Sequence, residues 1–417
     1  MHASLLPTLP RPVRHPGSGP LPHAHYNRDV AVKVGLDCLL ESGRLSGRRV
    51  GLVCNPASVD GILRHAADRL ASSPQVRLEA LFGPQHGFRS DVQDNMVETR
   101  HGHDEVRRVP VHSLYSDTRE PTADMLRDLD LLVIDLQDVG SRIYTFVYTM
   151  ANCLKAAARH GVPVIVCDRP NPIGGMVVEG PVLARGFESF VGQYPVPMRH
   201  GLTIGELAQI FNHEFGVGAT LDVVAMEGWR REMYFDATGL PWVMPSPNMP
   251  TLDTAIVYPG TVLLEGTNVS EGRGTTRPFE LVGAPWVVES ERFADAMNRL
   301  ELPGVFFRPV MFEPTFQKHA HERCGGCQIH VLDRERFRSV ETGVALLAAF
   351  RAADPSRFRW RDPPYEYEHT RLPIDILAGS SQLREQIERG LTARVIAASW
   401  EDGVRDFVAI RAKYLLY

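Results

Sequence analysis

Residues 131–167 read LLVIDLQDVGSRIYTFVYTMANCLKAAARHGVPVIVC. The ends, 131–136 and 162–167, are β-branched runs of strand length. Between them, residues 144–160 place apolar side chains three and four apart, the spacing of one helix face. Upstream the alternation continues, with strands expected at 49–54 (RVGLVC) and 76–82 (VRLEALF) and helices at 62–72 and 122–129. Strand–helix–strand alternation predicts a mainly parallel sheet covered by helices on both faces. Downstream, Thr203 and Glu206 have the spacing of a capping box, predicting a helix over 204–215.

A proline-rich joint, residues 244–250 (MPSPNMP), makes a poor helix or strand and a good linker or site loop. Beyond it come a glycine- and threonine-rich loop at 265–276, strands expected at 305–311 and 328–332, and helices near 291–300, 340–353, 381–389 and 404–414. The expected organisation is a disordered, proline-rich tail (1–27), an α/β domain with a mainly parallel sheet (28–250), and a second, smaller α/β domain (251–417).

Composition narrows the function. Lys and Arg number 45 against 50 Asp and Glu, a net charge of −5, where a nucleic-acid binder should carry a basic field. The 44% hydrophobic and 23% charged residues are those of a globular chain. No apolar run has the roughly 18 residues needed to cross a bilayer. Six cysteines are too few for a disulfide framework in 417 residues, so a cytoplasmic location is expected, with no membrane or nucleic-acid partner. The first expected strand is followed by Asn55 and Pro56 and lacks a dinucleotide fingerprint. No serine nucleophile elbow or phosphate loop occurs. Around residues 319–330, Cys324 and Cys327 lie among histidines, but without a second ligand pair the stretch reads as a thiol turn, and no metal or cofactor is expected.

In an open parallel sheet, ligands bind beyond the carboxyl ends of the strands. Three such loops are rich in chemistry: residues 83–91 (GPQHGFRSD), 135–142 (DLQDVGSR) and 168–175 (DRPNPIGG). They are expected to open onto one cleft.

Residues 81–88 (LFGPQHGF), 135–146 (DLQDVGSRIYTF), 168–174 (DRPNPIG), 178–181 (VEGP), 198–207 (MRHGLTIGEL), 227–230 (EGWR), 245–251 (PSPNMPT), 258–276 (YPGTVLLEGTNVSEGRGTT) and 316–330 resemble the exo-β-N-acetylmuramidase (NamZ) family in order and over nearly the whole chain, while residues 89–98 differ from it. The resemblance implies a Rossmann-like domain, a smaller C-terminal α/β domain, and a site between them. It also implies a glycoside hydrolase of cell-wall recycling that removes terminal N-acetylmuramic acid, or a related amino sugar, from peptidoglycan fragments without a cofactor.

One departure stands out. Where the family has glutamate in a G-P-E-H-G motif, taken to be catalytic, this chain has Gln85, and a carboxamide is no general acid. Asp91, Asp94 and Glu98 follow it, and Glu98, with the longest side chain, is the expected replacement acid in a low-dielectric pocket. Alternatively, the chain binds muropeptides or acidic sugars without cleaving them, or hydrolyses a different glycoside. The expected catalytic set is Glu98, Asp135, Asp138, Gln85 and His86. Asp168, Arg169, Asn171, Asn248, Asn268, Glu271 and Arg273 are expected to bind substrate. Arg199 and His200 are expected to read the lactyl carboxylate that distinguishes muramic acid.

Overall fold

The computed structural model describes residues 32–94 and 96–417; the tail expected over 1–27 lies outside them. The first half builds a seven-stranded sheet from β1 (Arg49–Cys54), β2 (Arg77–Gly83), β3 (Gly102–Asp104), β4 (Val109–Ser113), β5 (Leu131–Asp135), β6 (Val164–Cys167) and, after the paired strands β7 (Glu179–Val182) and β8 (Pro197–Arg199), β9 (Leu221–Val224). The spatial order is β3-β4-β2-β1-β5-β6-β9, with only the edge strand β3 antiparallel. Counted along the chain, the six parallel strands run 3-2-1-4-5-6, the doubly wound order. The Rossmann-like expectation is met.

The apolar runs are continuous because both faces of the sheet are covered, while successive side chains still point to opposite faces. Val50, Leu52, Cys54, Leu131, Val133, Ile165 and Cys167 join one buried cluster, under the helices Gly35–Glu41 and Ala66–Ala71. Val53, Leu132, Ile134, Val164 and Val166 join the other, with the helices Phe146–His160 and Ile204–Gln209. Register aligns Cys54 with Asp135 and Val53 with Phe82, so the strands deliver their following loops to one end of the sheet.

Thr203 and Glu206 form the expected capping box. The α-helix it starts ends at Gln209 and continues as a π-helical turn, Ile210–Glu214. Strands β3, β4, β7, β8 and β9 were not anticipated; each is short or half-polar and pairs at or near an edge.

The second half contains an antiparallel sheet of β10 (Leu281–Ala284), β11 (Val305–Phe312) and β12 (Cys324–Val331) in the order β10-β12-β11. The helices Ser290–Asn298 and Ser339–Ala353 share its buried cluster, which is continuous with the second cluster of the large sheet. The expected thiol turn is instead the start of β12. Cys324 and Cys327 are three residues apart on a strand and face opposite ways, so they cannot clasp one ligand. The glycines between them admit close strand pairing: a Cβ on Gly326 would lie 2.0 Å from the carbonyl oxygen of Val282. Among the described residues all six cysteines are free, no helix is long and apolar enough to cross a membrane, and no group of three or more His, Cys, Asp or Glu could hold a metal ion.

Candidate active site

Two places at the carboxyl end of the large sheet are rich in charged groups. One is the crevice between the loops after β1 and β5, where the strand order reverses and ligands of such folds usually bind. Here the chain fills it with its own side chains. Arg169 donates to both oxygens of Asp135, at 2.5 and 2.8 Å, and to the carbonyl of Val59 at 3.0 Å. The Asn55 amide reaches the carbonyl of Gln137. Asp168, beside it, accepts from the Thr203 hydroxyl, the Gly205 amide and the Tyr417 hydroxyl. Burial and the neighbouring Glu206 push the Asp168 carboxyl up to about 7. These bonds tie loops, a helix start and the chain's last residue together.

The second place is a narrow cavity between the two halves of the chain, with a volume of about 40 Å³. The loop after β2 contributes Gln85 and His86; the segment after β5 contributes Tyr144, Thr145 and Phe146 at the start of the long helix. Ser246, Asn248 and Met249 come from the proline-rich joint, which therefore lines the cavity. Tyr258, Glu265, Arg273, Tyr365 and Glu366 close the far wall.

Its polar network is specific. Gln85 accepts from the Thr145 hydroxyl at 2.7 Å, which leaves its amide N–H to donate to Glu366 Oε1 at 3.1 Å. The other oxygen of Glu366 accepts from the Tyr115 hydroxyl at 2.8 Å. Glu366 is only 4% exposed, and burial pushes its carboxyl up to about 7 against the opposing pull of these hydrogen bonds. Glu265 accepts from Arg273 and from the Tyr365 hydroxyl, both at 2.7 Å. His86 places Nδ1 2.8 Å from the carbonyl of Val92, so Nδ1 is the protonated nitrogen, and burial lowers its pKa to about 4. His86 and Glu366 both have positive φ, 70° and 44°, a backbone region non-glycine residues usually avoid.

Of the residues singled out from the sequence, Gln85, His86, Asn248 and Arg273 line this cavity. The others lie elsewhere. Glu98 does not sit in a low-dielectric pocket: its side chain is 53% exposed and pairs with Arg119 at 2.9 Å. Val97 before it is exposed as well, so this stretch faces outward. Asp94, on the same loop, accepts from Gln317. Asp135 and Arg169 are consumed by each other, and Asp138 holds the Gly140 amide at 2.7 Å and lies 3.3 Å from His200 Nε2. Asn171 bonds the carbonyl of Leu202 and the amide of Ile173. Arg199 is buried and donates to the carbonyl of Ile173, so it and His200 do not face the cavity. Asn268 ties residues 357–359, and Glu271 pairs with Lys318 at 2.8 Å behind Arg273. Of the three strand-end loops expected to open onto one cleft, only that of residues 83–91 lines this cavity; residues 135–142 stop short of it, the chain reaching it at 143–146, and residues 168–175 do not line it.

Glu366 was missed. Its segment, residues 363–368 (PPYEYE), has neither helical nor strand period and follows the last strand by more than thirty residues. The available signal was a carboxylate set between aromatics just after a proline pair.

A doubly wound sheet, an antiparallel second sheet and a buried carboxyl in the cavity between them define a two-domain α/β protein with a carboxyl-centred site. The chain belongs to the exo-β-N-acetylmuramidase NamZ family: the N-terminal family model matches residues 50–253 and the C-terminal one residues 256–417. It is 47% identical over 388 residues to the peptidoglycan β-N-acetylmuramidase NamZ of Bacillus subtilis (strain 168), covering 93% of this chain and 91% of that protein. Two crystal structures of DUF1343 family proteins from Bacteroides fragilis NCTC 9343 superpose with TM-scores of 0.84 and 0.71, at 38% and 26% identity. Each alignment covers 93% of this chain and 99% of the other.

Proposed function

We propose that this chain is a glycoside hydrolase of the exo-β-N-acetylmuramidase type, releasing terminal N-acetylmuramic acid or a related amino sugar from peptidoglycan fragments. The observation that carries the reading is the buried carboxyl of Glu366, set in the cavity wall against the loop that bears the family's motif. Hydrolysis of a glycoside needs a proton for the leaving oxygen and a carboxylate or substrate group on the opposite face of the sugar. Glu366 and Glu265 bring two carboxyl groups to one cavity, in different surroundings: one bonded by neutral donors, the other by a guanidinium. Environments that differ in this way are how a site assigns distinct roles to two like groups.

Within the same reading, the chain divides near residue 250, so that the joint carrying Ser246 and Asn248 forms part of the substrate site. The partner is a small amino sugar or muropeptide.

Release of N-acetylmuramic acid from a chromogenic β-muramide, compared with the matching N-acetylglucosaminide, tests the proposal. Turnover of the muramide is the expected result. Calorimetric binding of muropeptides without turnover would identify a sugar-binding protein, and turnover of the glucosaminide alone a different glycosidase.

A further inference from the structure

The family's motif position cannot supply a proton here, because Gln85 is an amide. Its immediate partner can. Gln85 reaches across the cavity to Glu366, a residue from a segment 281 positions further along the chain. The Thr145 hydroxyl donates to the oxygen of the same amide, and the contact with Glu366 is a donated N–H.

We propose that Glu366 is the general acid of this chain, and that Gln85 is the positioning residue that holds it. The assignment rests on the hydrolase reading above. In the step it performs, the Glu366 carboxyl gives its proton to the glycosidic oxygen as the C1–O bond breaks. The leaving group departs as a neutral alcohol with the bonding electron pair. The Glu366 carboxylate is then stabilised by the Tyr115 hydroxyl and the Gln85 amide, both already in place. As the alcohol leaves, C1 is taken on the opposite face by a carboxylate or the substrate's own acetamido oxygen; water then displaces that group from C1 and gives its proton to Glu366, which returns it to its starting state.

Geometry separates Glu366 from the other carboxyls. Glu98 is exposed and ion-paired, Asp135 is saturated by Arg169, and Asp138 and Asp168 do not line the cavity. Glu265 lines it but accepts from a guanidinium.

The substitution at position 85 follows from the same contact. A glutamate there would put a second carboxyl about 3 Å away, and two such groups share one proton and titrate as a pair. With glutamine, the proton has one owner. Burial pushes that carboxyl up to about 7, so it is partly protonated at neutral pH. Tyr115 and Gln85 oppose the shift through their hydrogen bonds and Arg273 through its charge, whereas the charge of Glu265 adds to it. Tyr258 and Tyr365 also face this centre, and burial keeps both hydroxyls neutral.

The test compares two β-muramides in the purified full-length chain: a muramyl disaccharide, whose leaving group needs a proton, and a dinitrophenyl muramide, whose leaving group does not. Glu366→Gln is expected to lower kcat/KM on the disaccharide ~10²–10⁴-fold, the usual scale of general acid help. On the dinitrophenyl glycoside the loss should stay within ~10-fold, which also shows that the variant is folded. The basic limb of the wild-type pH profile, near 7, should vanish in the variant. Gln85→Glu tests the assignment without touching Glu366 and is expected to move that limb to higher pH. An equal loss on both substrates with the limb intact, or a limb that Gln85→Glu leaves unmoved, overturns the assignment. If the wild-type chain cleaves neither substrate, the hydrolase reading fails and the acid goes with it. If it cleaves both and Glu366→Gln changes nothing, only the acid is lost.

Discussion

The strand-end crevice and the interdomain cavity contain the same kinds of residue, arginines beside carboxylates, but only the second leaves them lining open space. In the crevice, every strong group is matched inside the fold: Asp135 by Arg169, Arg169 also by the Val59 carbonyl, and Asp168 by two hydroxyls and an amide. Asp168 and Glu366 both meet neutral donors and burial pushes both up to about 7, but Asp168 is enclosed by the fold whereas Glu366 lines the cavity. Each place holds one buried ion pair, Asp135–Arg169 or Glu265–Arg273, and one raised carboxyl, so access to the cavity is what sets Glu366 apart. The crevice of the doubly wound sheet is thus a joint filled by the chain's own side chains, and the proposed chemistry lies instead where the second half of the chain meets the loops.

The sharpest way to break this contrast is Arg169→Met. Removing one partner of a buried pair strands the other charge, at a cost of about 3–5 kcal/mol. Urea unfolding should show that loss, with kcat of the remaining folded protein nearly unchanged. Normal stability with collapsed turnover would make the crevice catalytic after all.

Arg199→Ala comes next. Arg199 is buried, bonds the Ile173 carbonyl and neighbours Glu179, so its loss leaves buried acceptors unmatched at roughly 1–3 kcal/mol. The expected kinetic outcome is an equal loss on muramide and glucosaminide substrates. A rise in KM confined to muramides would restore Arg199 as the reader of the lactyl carboxylate.

A graded, pH-dependent effect comes from linkage. Folding raises the Glu366 carboxyl from 4.5 to about 7, so the native state binds this proton more tightly than the unfolded chain. The stability it contributes is full below about pH 4.5 and is lost as pH rises through 7. Asp168 has the same sign and stays in both proteins, so the wild type minus Glu366→Gln difference isolates one group. That difference should fall by at most about 1.4 kcal/mol per pH unit across the window and flatten above it. A difference independent of pH would mean that Glu366 is not buried with its proton in solution.

The parallel sheet was legible because continuous apolar runs of strand length, alternating with helical periods, fit few architectures besides a covered parallel sheet, as residues 131–167 show. The site was legible only in part. The loop holding Gln85 and His86 announced itself by its position after β2. Asp135 and Arg199 look in sequence just like site residues, because strand-end acids and arginines serve structure and catalysis alike, and only their partners tell which. Glu366 was invisible: its value comes from Tyr115 and Gln85, more than 250 positions away, and pairing at that distance leaves no local pattern.

Glu98 carries the smallest expected effect and the cleanest test of that lesson. It is a carboxylate thirteen residues after the motif amide, and sequence position alone makes it the natural heir to the missing acid. The structure places it on the outer side of Arg119, whose guanidinium lies 3.6 Å from the centre of the Tyr367 ring, while Glu98 Oε1 lies 3.3 Å from that tyrosine's hydroxyl. It therefore supports the rim beside Glu366 without entering the cavity. Exposed ion pairs are worth about 0–1 kcal/mol, so Glu98→Gln should shift the unfolding midpoint barely at all. Its kcat should stay within about threefold of wild type, with the basic limb in place, since no proton-transfer term of ~10²-fold or more is being removed. A hundredfold fall in kcat from this exposed position would show that the rim closes over the substrate and carries Glu98 inward, which would place the acid in the first half of the chain.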